Sequence, residues 1–355
     1  MMLTGLWTAL YRGLLAMVLI APLQAAAFKD PLDIPANMSA RAQSSRLTAV
    51  ARAGSRLVAV GPYGHILISD DSGRTWRQVP VPVSSDLVAV NFATPSEGWA
   101  VGHDGVVLHS SDGGMSWVKQ LEGRRAVGII QAYYKKLAEA GDAAEAAIDG
   151  EVRRFVAEGA DKPFLDVQFV SKNEGILVGA FNLGLRTLDG GTTWEPLNHR
   201  TDNPKGLHLY ALAGNSAAMY VAGEQGLLRR WNPYKQLFES IPSPYNGSYF
   251  GMLVKGATLV VFGMRGNAFR SVDGGVSWMK LVSNTTEAIT AGTMMADGRV
   301  VLVTLGGRIL LGSAEGNALA RVQPSKPMPY FGVVAADAGS IAVVGAAGVR
   351  VEPIK

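Results

Sequence analysis

Short apolar segments recur along the chain, each separated from the next by turn-forming residues. In the first unit they occupy residues 47–50, 57–60, 66–68 and 76–79, and residues 86–121 repeat the arrangement. Each segment is too short for a helix and is bounded by glycine, proline, serine or aspartate, which favour turns. The pattern predicts units of four short β-strands joined by tight turns.

The last turn of a unit carries the pattern [Ser/Thr]-x-Asp-x-Gly-x-[Ser/Thr]-Trp, known as the Asp-box or BNR repeat. It occurs at residues 69–76, 110–117, 187–194 and 271–278. The Asp carboxylate accepts backbone N–H bonds, the glycine adopts a positive φ, and the Trp buries its ring at the start of the next strand. We assign a structural role to eight box residues: Asp71, Trp76, Asp112, Trp117, Asp189, Trp194, Asp273 and Trp278.

A second motif sets the length of the repeat. An apolar strand ends in Gly-x-x-Gly, or a close variant, with first positions at 61, 102, 179, 223, 263, 304 and 345. Most intervals are 40, 41 or 44 residues, the length of a four-stranded propeller blade. We therefore predict an all-β, seven-bladed β-propeller over residues 47–355.

The two ends of the predicted ring raise the question of how it closes. The last unit, residues 330–354, has room for only three strands. Propellers avoid an open edge by taking a strand from the other terminus. Within the polar leader at 28–46, Leu32 and Ile34 are the best apolar pair for such a strand, and a disordered leader is the alternative.

One interval, from 102 to 179, is 77 residues, or one repeat of 41 plus 36 extra residues. At about residues 122–162 the apolar spacing changes from strand-like to helical. This predicts two amphipathic helices inserted between blades 2 and 3, with Gly141 ending the first and Asp142 capping the second. The insertion is interpreted either as a hairpin that packs on the propeller or as a docking element, and both can hold.

Composition narrows the class of protein. The chain has 355 residues, 48% of them hydrophobic, a formal net charge of +4 and no cysteine. Disulfides and thiolate metal sites are therefore excluded, and the charge is too small for a dedicated nucleic-acid binder. Residues 1–27 resemble a cleavable signal peptide, with Arg12, an apolar core at 13–21 and three alanines at 25–27. This predicts a periplasmic protein, and an uncleaved membrane anchor is the alternative.

Blade topology predicts which loops share a face. The Gly-x-x-Gly turns and the connections between blades surround one mouth of the central channel, opposite the Asp-boxes. The insertion and the crossover at 200–208 emerge on the same face. The predicted binding residues there are Tyr63, His103, Asp104, Phe181, Asn182, Arg200, Asp202, Asn203, His208, Tyr210, Glu224, Gln225, Tyr249, Met264 and Arg265, with Lys135, Lys136, Arg153 and Arg154 on the insertion.

Nothing in the sequence indicates a catalytic site. Asp-boxes also occur in sialidases, but that chemistry needs an arginine cluster, a tyrosine nucleophile beside a glutamate, and an aspartic acid. The third-strand arginines are expected in the bodies of the blades, and no Gly-x-Ser-x-Gly is present. The five histidines lack metal-ligand spacing. We predict no enzyme activity, no cofactor and no metal.

The repeats, the export signal and the insertion together resemble the photosystem II assembly and stability factor family, in its non-photosynthetic bacterial branch. The similar stretches are Trp-Ala-Val-Gly-His-Asp-Gly at 99–105, Arg-Thr-Asp-Asn-Pro at 200–204 and Ala-Gly-Glu-Gln-Gly-Leu-Leu at 222–228. The resemblance covers about residues 45–355.

That resemblance implies a propeller that binds membrane-protein partners and performs no chemistry. Members of the bacterial branch are often paired with RND/MMPL-type exporters, which implies an accessory role at the inner membrane. The basic surface of photosynthetic members matches only loosely here, at Arg186, Arg229, Arg230 and Arg270. The rival hypothesis is a secreted glycan-binding protein or a sialidase-like glycoside hydrolase.

Overall fold

Seven antiparallel sheets follow one another along the chain in the computed structural model, which describes residues 29–354 apart from residue 216 and the side chains of 143–147. The predicted signal peptide at 1–27 lies outside the described residues. Within the described part, no helix is both long and apolar enough to span a bilayer.

The first three blades contain twelve strands. Blade 1 comprises β1 (Ala49–Ala53), β2 (Arg56–Val60), β3 (Ile66–Ser69) and β4 (Arg77–Gln78). Blade 2 comprises β5 (Leu87–Phe92), β6 (Gly98–Gly102), β7 (Val107–Ser110) and β8 (Val118–Leu121). Blade 3 comprises β9 (Phe164–Phe169), β10 (Gly175–Gly179), β11 (Gly184–Thr187) and β12 (Glu195–Pro196).

The other four blades continue this order. Blade 4 comprises β13 (Leu209–Asn215), β14 (Ala218–Gly223), β15 (Leu228–Asn232) and β16 (Leu237–Ser240). Blade 5 comprises β17 (Tyr249–Lys255), β18 (Thr258–Gly263), β19 (Ala268–Ser271) and β20 (Met279–Leu281). Blade 6 comprises β21 (Ile289–Met294), β22 (Val300–Thr304), β23 (Ile309–Gly312) and β24 (Leu319–Val322). Blade 7 comprises β25 (Tyr330–Ala335), β26 (Ser340–Gly345) and β27 (Gly348–Pro353).

Within each sheet the strands pair in chain order, and the first strands of neighbouring blades pack against each other around the ring, including those of blades 7 and 1. Apolar side chains from adjacent blades form the core clusters between the sheets. The predicted seven-bladed propeller is therefore confirmed.

The ring closes without a borrowed strand. The leader forms short 3₁₀ turns at Pro31–Asp33 and Ala42–Ser44, and blade 7 keeps three strands, so the predicted closing strand at Leu32 and Ile34 is wrong. Prolines at 31 and 35 supply no backbone N–H for a strand ladder, and the Asp30 carboxylate accepts the Leu32 N–H and favours the turn.

The end of the leader instead makes the same backbone hydrogen bond as a connection between two blades. The Leu47 N–H donates to the Gly345 carbonyl at 3.1 Å, as the Leu87 N–H donates to the Gly61 carbonyl at 3.2 Å between blades 1 and 2. Gly348 lies so close to the leader that a Cβ there would be 1.9 Å from the Gln43 carbonyl oxygen. Backbone contacts therefore join blade 7 to blade 1.

The Asp-boxes are hydrogen-bonded turns, as the sequence predicts. In blade 1 the Asp71 carboxylate accepts the Thr75 N–H at 2.8 Å and the Thr75 hydroxyl at 2.6 Å. Bonds from Thr75 lower the pKa of Asp71 to about 2. Trp117 and Trp194 are 5% and 7% exposed, but Trp76 and Trp278 are only half-buried, so full burial holds for two of the four tryptophans.

The insertion consists of α1 (Gly123–Glu139) and α2 (Ala143–Glu158), which confirms the predicted helix pair. Ile130, Tyr134 and Phe155 are buried in the core cluster shared by blades 2 and 3. A propeller without the insertion would expose this cluster to water. The insertion is therefore part of the packed core and also offers an outer surface.

Candidate functional site

Four Gly-x-x-Gly turns and the variant turn at 179–184 each place a side chain on a left-handed backbone at the channel mouth. The third residue of each turn has a positive φ of 51–59°. We call these five the tip residues: Tyr63, Asp104, Phe181, Gln225 and Arg265. A left-handed conformation costs a non-glycine residue about 1 kcal/mol, which glycine would avoid. Folding therefore does not require these side chains.

Four rings form a continuous row across blades 3, 4 and 5 on this face. The centroid separations are 4.4 Å from Phe181 to His208, 5.9 Å from His208 to Tyr210 and 5.6 Å from Tyr210 to Phe250. We call these four residues the aromatic row. All four are at least partly exposed, so the row presents ring surface to solvent.

Cations from the insertion lie over one end of the aromatic row. The Arg154 guanidinium is 4.9 Å from the centroid of Phe181, and the Lys162 ammonium is 5.5 Å from it. Lys162 is mostly buried and also forms an ion pair with Asp161 at 2.7 Å, whereas Arg154 is exposed. Arg154 thus links the aromatic row to the insertion and remains available to a partner.

Glu224 fixes the middle of the row. Its carboxylate accepts the backbone N–H of His208 at 2.9 Å and lies 3.5 Å from the Tyr210 hydroxyl. Burial and the nearby Glu224 charge raise the pKa of Tyr210. His208 accepts the Phe181 N–H at Nδ1 over 2.8 Å, which holds its ring against Phe181. These bonds set the orientation of the row before any partner arrives.

A buried polar network attaches the insertion to blade 3, and it contains two residues predicted to lie on the surface. Asn182 and Asn203 are 2% and 6% exposed, so they are internal groups and not partner contacts. The Asn182 amide donates to the Glu151 carboxylate at 3.2 Å and to the Asn198 carbonyl at 3.0 Å. Burial raises the pKa of Glu151. The polar side chains of Asn182 and Asn203 suggested a surface position, but they form hydrogen bonds with buried backbone groups.

The crossover at 200–208 is also held from within. Tyr134 of α1 lies 2.8 Å from Nδ1 of His199, and burial lowers the pKa of His199 to about 4. Arg200 forms an ion pair with Glu195 at 2.9 Å. Asp202 is exposed, but its carbonyl accepts a 2.6 Å bond from Arg229. Arg200 and Asp202 therefore brace the face on which the aromatic row lies.

Tyr249 was predicted to lie on the binding face, and this prediction is wrong. It is completely buried between blades, while its neighbour Phe250 joins the aromatic row. A β-bulge at this position shifts the register of β17 against β18 between Tyr249 and Gly251. The bulge rotates the following side chain toward the mouth. The same bulge follows Leu87, Leu209, Ile289 and Tyr330, which are the buried equivalents of Tyr249 in blades 2, 4, 6 and 7. Aligning the repeats would therefore have assigned Tyr249 to the core.

Five further predicted binding residues are exposed. His103 and Met264 lie on Gly-x-x-Gly turns, and Lys135, Lys136 and Arg153 lie on the outer face of the insertion. Lys135 is 3.9 Å from Glu139, and Arg153 pairs with Asp149. A groove of 580 Å³ between the two helices is lined by Val152 and Val156, among others.

Two arginines of the third strands are structural. Arg186 reaches Gln236 in the degenerate box turn of blade 4 at 2.6 Å, and Arg270 reaches the Ser313 carbonyl in that of blade 6 at 2.7 Å. Both guanidinium groups are buried. They stabilise turns that lack the Asp-box aspartate, so they are unavailable to grip a substrate carboxylate.

Asp166 is a carboxylate on an inner strand and lies outside the predicted site. Its Oδ2 accepts the Leu212 N–H of blade 4 at 2.7 Å, and burial raises its pKa to about 7. The equivalent positions in the other blades hold only alanine or glycine: Ala49, Ala89, Ala211, Gly251, Ala291 and Gly332. Comparing the first strands of the seven repeats would have revealed it.

Stability should fall with rising pH because of Asp166. The pKa of its carboxyl rises from 3.8 to about 7 on folding, so the folded state binds the proton more tightly than the unfolded state. This contribution is fully present below the unfolded value and is lost as pH rises toward 7. We expect the melting temperature of wild type to fall, relative to Asp166→Asn, between pH 5 and 8. A constant difference across that range would contradict the assignment.

Comparison with known proteins identifies the family. The family described as "Photosynthesis system II assembly factor YCF48" matches residues 38–135 and 151–321 of this chain. The chain belongs to this family. A photosystem II assembly protein Ycf48 from Synechococcus sp. (strain JA-2-3B'a(2-13)) is 30% identical over 179 residues, which cover 45% of this chain and 53% of that protein.

The relatives share only part of their length with this chain. The chloroplastic photosystem II stability/assembly factor HCF136 of Cyanidioschyzon merolae is 45% identical over 47 residues, 13% of this chain and 11% of that protein. The chain thus spans about half the length, or less, of these two curated relatives. Sequence similarity therefore places it in the Ycf48 family without fixing its partner.

Solved structures agree with the propeller architecture. A YCF48 bound to a D1 peptide superposes with a TM-score of 0.62 at 15% identity, covering 92% of this chain and 99% of that one. A YCF48 from Cyanidioschyzon merolae gives a TM-score of 0.62 at 15% identity, covering 88% and 96%. At this identity the similarity shows the fold alone.

Proposed function

We propose that this Ycf48-family propeller is a non-enzymatic, periplasmic assembly or accessory factor for an inner-membrane protein complex, with an RND/MMPL-type exporter as its partner. The partner binds the Gly-x-x-Gly face, where the aromatic row and the tip residues meet the outer surface of the insertion.

The observation that carries this proposal is the backbone strain at the five tip residues. Five side chains occupy left-handed positions where glycine would be free of strain, and Tyr63 is 69% exposed. Strained, exposed side chains concentrate where a protein binds something. Tyr and Arg, both present among the tips, dominate the binding energy of protein interfaces.

Family membership supports a membrane protein as the class of partner. One solved YCF48 holds a D1 peptide, and curated relatives are photosystem II assembly factors. The exporter is proposed from the resemblance of the repeats and the crossover to the bacterial branch of the family. The signal-like pattern at residues 1–27 supports export to the periplasm.

Replacing tip residues with glycine separates binding from folding. Glycine relieves the strain of the left-handed backbone, which raises the free energy of unfolding. It also gives the unfolded chain more conformational freedom, which lowers that free energy. The variants to test are Tyr63→Gly, Gln225→Gly and Arg265→Gly. We expect stability unchanged or raised by up to about 1 kcal/mol. Affinity for a detergent-solubilised RND/MMPL exporter of the same bacterium should fall at least about tenfold in the triple variant. Calorimetry and biolayer interferometry measure the two quantities.

Glycine at an exposed position with negative φ away from the proposed binding face provides the matched control, and Arg77→Gly on β4 serves this purpose. It should lower stability by roughly 0.5–1 kcal/mol. Tip variants that bind the exporter as wild type does would refute the proposed face. Turnover of chromogenic sialosides or other glycosides by the purified protein would refute the non-enzymatic role.

A further inference from the structure

A cavity of 250 Å³ lies between blades 3 and 4. Glu174 in the first turn of blade 3, Arg186 on β11, Trp231 on β15 and Gln236 in the last turn of blade 4 contribute to its walls. First and last turns of a blade lie on the Asp-box side of the propeller. The cavity is therefore remote from the aromatic row and separate from the proposed exporter-binding face.

Arg186 is held in this cavity differently from the equivalent arginine of blade 5. Arg270 donates to two backbone carbonyls of the degenerate turn of blade 6, at 2.7 and 2.9 Å. Arg186 donates instead to two side chains, the Glu174 carboxylate at 2.8 Å and the Gln236 amide oxygen at 2.6 Å. An arginine at this position can thus stabilise a degenerate turn through backbone groups alone. Folding does not explain the two polar side chains beside Arg186.

Gln236 is also strained, and the hydrogen bonds around it are incomplete. Its backbone has a φ of 54°, where glycine would be free of strain. The Nε–H of Arg186 is buried and has no acceptor among the residues that the structure describes. A buried donor without an acceptor costs about 1–3 kcal/mol. A ligand oxygen that entered the cavity would offer this guanidinium a further acceptor.

The opposite wall of the cavity is apolar. Ile176 and Met219 are 4% and 6% exposed and line it together with Trp231, whose ring centroid is 4.9 Å from the Arg186 guanidinium carbon. The charged groups of the lining are one guanidinium and one carboxylate, which form an ion pair with each other. The cavity therefore favours an uncharged ligand that has a donor, an acceptor and a small apolar group.

A second cavity, of 510 Å³, continues from the first around the last turn of blade 4. Ala217, Trp231 and Pro233 line both cavities. Tyr234 lines the second one and is 96% exposed, so its ring is accessible to a ligand. An aromatic face of this kind packs against the apolar face of a sugar ring. Two adjoining cavities match a ligand made of linked units.

We propose that these two cavities bind a glycan that contains N-acetylhexosamine residues. The acetamido group of one residue enters the first cavity. Its carbonyl accepts from Arg186, its N–H donates to the Glu174 carboxylate, and its methyl group packs against Met219. The next sugar ring lies against Tyr234 in the second cavity. This glycan site is additional to the exporter-binding face, and it involves no chemical step.

Titration calorimetry with the full propeller tests the site. The probe is chitotriose, a chain of three N-acetylglucosamine residues, and cellotriose is the matched sugar because it has the same linkage without acetamido groups. We expect chitotriose to bind with a Kd below about 1 mM, and cellotriose to bind at least about tenfold more weakly. Sedimentation with insoluble peptidoglycan distinguishes two sources of the glycan. Co-sedimentation indicates a cell-wall strand, and chitotriose binding without co-sedimentation indicates a free oligosaccharide.

Variants at exposed positions locate the site without disturbing the core. Ala217→Trp fills the shared rim of the two cavities and should abolish chitotriose binding. Tyr234→Ala should weaken binding about tenfold, and Tyr234→Phe should restore it because the ring makes the contact. Tyr63→Ala, on the opposite face, is the matched control and should bind chitotriose as wild type does.

The glycan site and the exporter-binding face fail independently of each other. Ala217→Trp should keep wild-type affinity for the solubilised exporter, since the changed residue lies on the Asp-box side. Absence of chitotriose binding at about 10 mM would overturn the glycan site. Equal affinity for cellotriose would exclude the acetamido contact, and unchanged chitotriose binding in Ala217→Trp would exclude these two cavities.

Discussion

Replacing Trp117 with alanine is expected to lower the free energy of unfolding by roughly 3–5 kcal/mol. The indole is 5% exposed, packs edge-on against Phe92 at 6.0 Å, and donates to the Gly114 carbonyl at 3.1 Å. The change leaves a cavity in the core between blades 1 and 2. Calorimetry or urea unfolding measures the loss.

Trp278 provides the control because the same box motif holds it half-exposed. Its replacement should cost clearly less than that of Trp117. Variants that remain folded should keep wild-type affinity for the exporter, since the boxes lie on the far side from the aromatic row. Equal costs for the two tryptophans would show that the turn, and not burial of the ring, supplies the stability.

Reversing the charge of the insertion surface is expected to have the largest effect on partner association. The variant changes Lys135, Lys136, Arg153 and Arg154 to glutamate. Exposed charges mainly steer encounter, so the association rate should fall about tenfold or more at low salt and recover toward wild type at high salt. Arg154 also lies against Phe181, so part of the loss should persist in salt.

The matched control reverses four exposed cations elsewhere, Arg77, Lys172, Arg230 and Lys280, and gives the same net charge. It should associate with the solubilised exporter faster than the insertion variant at every salt concentration. Identical rates for the two variants would show that net charge alone matters. The insertion would then be a packing element without a role in recognition.

Periodic features of the sequence predicted the architecture well. The spacing of boxes and Gly-x-x-Gly turns gave seven blades because close backbone approach forces glycine: a Cβ on Gly102 would lie 1.9 Å from the Asp86 carbonyl oxygen. The change to helical spacing gave the insertion. Both patterns are local in the sequence, so they can be recognised without knowledge of the tertiary structure.

Features that depend on register or on distant neighbours were not predicted. A bulge places Phe250 instead of Tyr249 at the mouth, and the partly buried carboxylate of Glu151 binds the Asn182 amide in the interior. The leader closes the ring by backbone contacts that carry no apolar pattern. The contacts of Asn182 and of the leader join residues far apart in sequence, and they leave no periodic trace. The bulge recurs in blades 2, 4, 6 and 7, so it becomes visible only when the repeats are aligned with one another.

Site-specific photo-crosslinking in living cells tests the central claim most directly. A crosslinking amino acid is placed at Tyr63 or Arg265 on the Gly-x-x-Gly face, or at Val276 on the Asp-box face, all of which are exposed. We expect an RND/MMPL exporter to be captured from Tyr63 and Arg265 but not from Val276. Capture of no membrane transporter from the first two positions, or capture from Val276 alone, would contradict it.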